Sequence, residues 1–192
     1  EESTKYFDED SLAGKTWVNT YALTDEKGRF LESNPEQMHD RIIKEVMRIE
    51  KKYSNPQLTE DELKEMMYHF KYIVLGGSGM SGIGNDYKYS SLSNCFVIES
   101  PTDSYGGICK SDQELLQLMK RRGGVGMDLS KLRPKGTAVT NDAKTSSGAV
   151  SFMERFSNST REVSQNGRRG ALMLSIEVTH PDAELFIDSK LD

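Results

Sequence analysis

Leu92-Ser-Asn-Cys-Phe-Val-Ile98 is the stretch on which the fold turns. A polar entry runs into a short apolar segment, the pattern of a strand buried in a sheet. Downstream, strands recur with helices between them. Ser111 and Glu114 are spaced to cap a helix carrying Leu115, Leu118 and Met119. Gly123-Gly-Val-Gly-Met127 reads as a tight turn into a second short strand, and Ala171 to Val178 as a third. Between those two lie a polar loop, Arg133 to Ser147, and a helix with Val150, Met153, Phe156, Thr160 and Val163 on one face. Gln165 to Gly170 reads as a loop. Pro181, with Asp182 and Glu184, opens a last helix that runs on to Lys190-Leu191-Asp192, its carboxylates placed for its own dipole. Strands alternating with helices predict an α/β layer or barrel with parallel pairing. The sheet so read has too few strands to close, so the expectation is a piece of a larger α/β unit.

Upstream the pattern is helical. Asn34-Pro35 supplies a cap and a first-turn proline, and Met38, Ile42, Val46 and Ile49 recur at helical spacing. Thr59 with Glu62 makes a capping box ahead of Leu63, Met66, Met67 and Phe70. Gly76 to Asn85 then reads as a glycine-serine loop. The predicted organisation is a helical region over 1–75 and the start of the α/β unit over 76–192.

Composition narrows the function classes. The 192 residues are 35% hydrophobic and 29% charged, as in a soluble globular chain. A net charge of -5 provides no global basic field for nucleic acid or anionic lipid. No apolar run approaches the ~20 residues that cross a bilayer, and the polar start Glu1-Glu2-Ser3-Thr4-Lys5 is unlike a secretory signal. Cys95 and Cys109 form neither a disulfide framework nor a zinc spacing, and a reducing, cytoplasmic setting is the default. His39, His69 and His180 are scattered singly, so no metal site is expected.

Several segments could carry chemistry. Glycines let backbone N–H groups approach an anion, so Gly76 to Gly84 could cradle phosphate. No Gly-Lys-Ser/Thr ends it, and Gly77-x-Gly79-x-x-Gly82 alone is a weak dinucleotide signal, so composition favours a flexible connection. Cys95 could be a small buried hydrophobe or a redox thiol. The polar neighbours Ser90, Ser91, Ser93 and Asn94 favour the thiol slightly. Cys109, read as lying beside a helix start, is assigned a structural role. Arg133, Lys135, Arg161, Arg168 and Arg169 put cations near loops, and guanidinium forks suit phosphates or base edges. Asp103 lies where it could accept from a sugar hydroxyl. These features describe a nucleotide- or phosphate-binding α/β protein.

Four motifs in order sharpen this: Ser-Leu-Ser-Asn-Cys95-Phe-Val-Ile; Gly-Gly-Val-Gly-Met-Asp-Leu-Ser-Lys-Leu-Arg133-Pro-Lys-Gly; Ser-Gln165-Asn-Gly-Arg-Arg169-Gly-Ala; and His180-Pro-Asp-Ala-Glu-Leu-Phe-Ile-Asp. From about Tyr6 to its last residue the chain resembles the large, catalytic subunit of ribonucleotide reductases. The resemblance implies a ten-stranded α/β barrel of two parallel five-stranded halves. This chain would be the helical N-terminal region and the first strands of that barrel, with no ATP cone ahead of it. Cys95 matches the cysteine that reduces substrate and becomes half of a disulfide. Ser78, Ser93, Asn94 and Gly124 match places that hold the substrate ribose or diphosphate. Asp103 would bind the effector deoxyribose and Arg133 its phosphates, with Ser104 and Lys135 also among the effector-binding residues. Lys135 to Ser147 would be the first effector loop. Gln165 to Gly170 would be the second, with Gln165 and Arg169 relaying effector identity to the substrate base.

The helices over 111–122 and 149–164 resemble those of a dimer interface. The implied chemistry is radical removal of the ribose 3′ hydrogen, loss of water from the 2′ carbon and reduction by two thiols. No cofactor would be bound by this chain. The radical would come from a metal-bearing small subunit or adenosylcobalamin, the effector would be a deoxynucleoside triphosphate or ATP, and the reductant thioredoxin or glutaredoxin. The thiyl cysteine and the partner of Cys95 belong to family segments absent from this sequence. The expectation is therefore a split-gene product or extein half that needs the remaining C-terminal part. A non-catalytic nucleotide-binding or interaction module that keeps the effector site is the alternative.

Overall fold

Helix α3 (Pro35–Glu50) begins where its sequence signals place it: the Asn34 side chain accepts from Gln37 N–H at 3.3 Å, with Pro35 in the first turn. The computed structural model of the chain describes residues 1–165 and 168–191, with the backbone alone for 164, 165, 168 and 169. It forms two compact units, 1–94 and 95–192.

The first unit is helical: α1 (Glu2–Tyr6), α2 (Ser11–Thr20), α3, α4 (Glu60–Met67) and α5 (Gly77–Gly82). Asp10 caps α2 through Leu12 and Ala13 N–H. Thr59 and Glu62 form the expected capping box on α4. Trp17, Met38, Ile42, Ile43, Leu63 and Met67 make the core. The buried stripe of α3 includes His39 and Ile43 and leaves Ile49 exposed, so it departs from the predicted face at the C-terminal end.

The glycine-serine segment is not the loop expected. It winds into α5 and folds back on the first unit, so the division between units falls after Asn94 rather than after residue 75. Glycine and serine have little intrinsic preference for helix. The cause is tertiary. Arg41 on α3 bonds to the carbonyls of Met80, at 3.0 Å, and Ile83 at the end of this helix. Its guanidinium is also paired with Glu32 at 2.7 Å, and both side chains are buried.

The second unit carries β1 (Cys95–Val97), α6 (Tyr105–Met119), β2 (Gly124–Asp128), α7 (Ala149–Glu162), β3 (Ser164–Gln165), β4 (Arg168–Arg169), β5 (Leu172–Ser175) and α8 (Ala183–Asp188). β1, β2 and β5 form a parallel sheet in the order β1-β2-β5, the expected pairing in an unclosed sheet. Its core is Ile108, Leu115, Met119, Val125, Met127, Leu129, Leu132, Ala149 and Phe156.

Four features differ from the sequence reading. Helix α6 starts at Tyr105, capped by Ser104, whose hydroxyl accepts from Gly107 N–H at 3.0 Å, and Ser111 lies buried inside the helix. A Cβ at Gly107 would collide with Thr102, so glycine there permits close approach. The expected loop over 165–170 has antiparallel backbone pairing, Ser164 with Arg169 and Gln165 with Arg168. The last helix stops at Asp188 rather than running on to 192. Finally, the Asp182 carboxylate makes no bond to its own helix and reaches α7 instead.

Candidate functional site

Strand β1 places Cys95 at its first residue, in parallel register with Gly124 at the first residue of β2. Side chains alternate along a strand. Phe96 is half-buried, whereas Cys95 and Val97 share the other face and are exposed, Val97 at 87%. The expected buried strand is therefore covered on one face only, and the reading of Cys95 as a core hydrophobe does not hold. The thiol is free and exposed, and the position in register with it is bare backbone. Cys109 is also free and exposed, within α6 rather than beside its start.

In the first unit, the side chain of Asn94 accepts from Ser78 N–H at 2.9 Å, holding the first turn of α5. Any side chain at Gly76 would run into that amide. Ser78 is 1% exposed, and its hydroxyl has no hydrogen-bond partner among the described residues. An unmet buried hydroxyl costs about 1–3 kcal/mol. Ser93 is exposed and its N–H bonds to Ser91 Oγ at 3.0 Å. Two of the predicted substrate residues, Ser78 and Asn94, are thus brought together 16 positions apart.

Asp103 and Arg133 meet as well, across 30 positions. Arg133 Nε donates to Asp103 Oδ2 at 2.7 Å and its backbone N–H to Oδ1 at 3.2 Å. Both side chains remain over one-third exposed. Ser104, next to Asp103, is exposed at the start of α6. The exposed Lys135 enters the polar segment, which folds as an irregular hairpin: Gly136 N–H to Ser146 O at 2.9 Å, Ser146 N–H to Thr137 O at 2.8 Å, Val139 N–H to Lys144 O at 2.9 Å. The side chains of Gln165 and Arg169 lie outside the described residues.

Three residues given no binding or catalytic role in the sequence reading make long-range contacts in the second unit. Asp128, at the carboxyl end of β2, accepts from Ser130 N–H and from Ser175 Oγ at the end of β5. Burial pushes its carboxyl up, and the Ser130 and Ser175 bonds outweigh that and hold it below the usual carboxylate range. Asp182 is 3% exposed and accepts from Lys135 N–H at 3.0 and 3.1 Å and from Ala149 N–H at 3.0 Å. His180 Nε2 lies 2.8 Å from Leu132 O, and its Nδ1 accepts from Asp182 N–H at 3.0 Å. The His-Pro-Asp order was legible; the partners, 33 to 48 positions away, were not.

Among the described residues no group of three His, Cys, Asp or Glu side chains is placed to hold a metal ion, and no helix is long and apolar enough to cross a membrane. The outward faces of α6 and α7 are polar, with Lys110, Gln113, Gln117, Glu154 and Asn158 exposed.

The family described as ribonucleotide reductase, barrel domain, matches residues 93–192. A vitamin B12-dependent ribonucleoside-diphosphate reductase of Mycobacterium tuberculosis is 32% identical over 186 residues, 95% of this chain and 26% of that protein. Its namesake in Thermoplasma acidophilum is 39% identical over 104 residues, 54% of this chain and 13% of that protein. Ribonucleoside-diphosphate reductase large chain 2 of Saccharomyces cerevisiae is 33% identical over 102 residues, 52% of this chain and 12% of that protein. The chain thus spans about a quarter or less of the length of these relatives.

Proposed function

Because this chain belongs to the ribonucleotide reductase family, as a piece of its large subunit, we propose that it is the substrate-cradling and effector-reading part of a ribonucleoside-diphosphate reductase. In this reading the three parallel strands are the first of a ten-stranded barrel, and the remaining C-terminal part completes it. The ribose loses its 2′ hydroxyl as water while two thiols are oxidised to one disulfide. Cys95 supplies one of those thiols. Ser78, Ser93, Asn94 and Gly124 hold the substrate. Asp103, Ser104, Arg133 and Lys135 hold a deoxynucleoside triphosphate, and Gln165 and Arg169 carry its identity to the substrate base. The initiating radical comes from outside this chain, either from a metal-bearing small subunit or from adenosylcobalamin, the latter matching two relatives named as vitamin B12-dependent. Dimerisation through α6 and α7, and re-reduction by thioredoxin or glutaredoxin, complete the assignment.

The observation that carries the reading is the exposed Cys95 thiol at the head of a parallel strand, in register with a glycine. A thiol that must alternate between substrate and an outside reductant has to be reachable, and a core cysteine would not be. The test is turnover of ribonucleoside diphosphates by this chain mixed with the part that completes the barrel. Cys95→Ala should abolish turnover and leave effector binding unchanged. Turnover surviving that change would remove Cys95 from the chemistry and leave a nucleotide-binding module.

A further inference from the structure

Helix α7 lacks a cap of its own. Gly148 precedes it with φ 88° and no side chain to accept from the first turn. A buried carboxylate 33 positions downstream does that work: Asp182 Oδ2 accepts from Ala149 N–H, the first amide of the helix. The same carboxylate accepts from Lys135 N–H through both oxygens. Lys135 and Ala149 are the two ends of the hairpin 136–147. One charge therefore pins both ends of that loop to a single point. Two N–H donors and the positive end of a 14-residue helix compensate the buried anion. Gly148 is required by the arrangement, since a Cβ there would meet Asp182 Oδ2 and Lys135 Cβ, each at 2.7 Å.

His180 fixes the backbone from which the carboxylate projects. Leu132 O can only accept, so Nε2 carries the ring proton, and Nδ1 is left to accept from Asp182 N–H. Leu132 directly precedes Arg133. The chain His180, Asp182, Lys135 thus connects the last helix to the segment that carries Arg133 and to the loop beyond it.

We propose that Asp182, seated by His180, is a positioning residue that closes the loop 136–147, so that effector binding depends on a carboxylate that touches no nucleotide. This rests on the reading of Asp103, Arg133 and Lys135 as effector ligands. A residue serving only to cap α7 would have no reason to bind Lys135 as well.

The test titrates dTTP and dATP separately into the 192-residue chain, alongside amide hydrogen exchange. Asp182→Ala should raise Kd about tenfold, the order expected for losing a charge-assisted hydrogen bond. Exchange at Gly136 and Ser146 should quicken about as much, with the inner turns of α7 still protected. Asp182→Asn keeps one acceptor oxygen but sets an amide N–H against Lys135 N–H, so its losses should fall between. Because it preserves volume, Asp182→Asn decides the matter if Asp182→Ala does not fold. Unchanged Kd and exchange in these variants would overturn the proposal. So would α7 losing protection to the same degree as the loop, which would reduce Asp182 to a helix cap. Arg133→Ala separates the two readings. If it and the native chain bind nucleotide equally, or neither binds, the effector reading fails and exchange at Gly136 and Ser146 alone decides whether Asp182 closes the loop.

Discussion

Lowering the pH should loosen the first unit well before ordinary carboxylates titrate, and His39 is the reason. This ring is 2% exposed on α3, its centroid 4.8 Å from that of Phe70 in a T-shaped pair and 6.0 Å from that of Tyr68. Its Nδ1 has no partner among the described residues. Burial, aided by His69 and opposed by Asp40, pushes its pKa down to about 4 from 6.5. The folded state therefore keeps His39 neutral where the unfolded chain would protonate it. Stability from this group is complete above the unfolded value and drains away as pH falls from about 6.5 to about 4. The whole gap is worth about 3 kcal/mol, of which about 2 kcal/mol should be gone by pH ~5.

Trp17, the sole tryptophan, lies in the same core and reports this unit specifically. Urea unfolding followed by its fluorescence at pH ~7.5 and ~5 gives the loss directly. Asp25, Glu60 and Glu62, whose carboxyls are held low by hydrogen bonds and ion pairs, also lose their contribution on acidification. His39→Leu cancels them: it retains their titration and removes the imidazole. The native chain should lose about 2 kcal/mol more than this variant across that interval. Equal losses in the two would refute the argument, since the buried ring would then contribute nothing to the pH dependence.

Two further outcomes follow from the packing. Arg41→Leu strips the partner from buried Glu32 and frees the end of α5, and should cost about 3–5 kcal/mol in the same urea assay. Adding Glu32→Leu should recover part of that, because no lone charge then remains. Gly107→Ala forces a methyl group into Thr102 and should cost about 1–3 kcal/mol in a circular-dichroism melt, whereas Gly106→Ala, which meets only Ser104 Oγ at 3.9 Å, should cost little.

Much of the architecture was legible because its signals are local. Asn34-Pro35 and Thr59 with Glu62 act over three or four residues, and each helix starts where they say. The β-strands that come after glycine and polar turns paired in parallel, as alternation with helices requires. The four motifs located the family and the candidate residues. The readings that failed concern glycine above all. Gly77 to Gly82 looked like a loop, and the start of α6 at Tyr105, where Gly107 packs against Thr102, was read six residues late at Ser111, because flexibility and close approach leave the same letter in a sequence.

Sequence by itself determined the caps of α3 and α4, the α/β alternation and the identity of the residues expected to bind nucleotide. Tertiary structure alone decided that Arg41 would turn a glycine run into a helix and that Asn94 would hold its first turn. It also decided that Cys95 would be exposed and that α7 would take its cap from Asp182. For the three contacts made by Arg41, Asn94 and Asp182 the physical reason is the same. A side chain that satisfies a backbone amide or carbonyl 16 to 42 positions away leaves no periodicity behind, so its target is known only once the chain has folded.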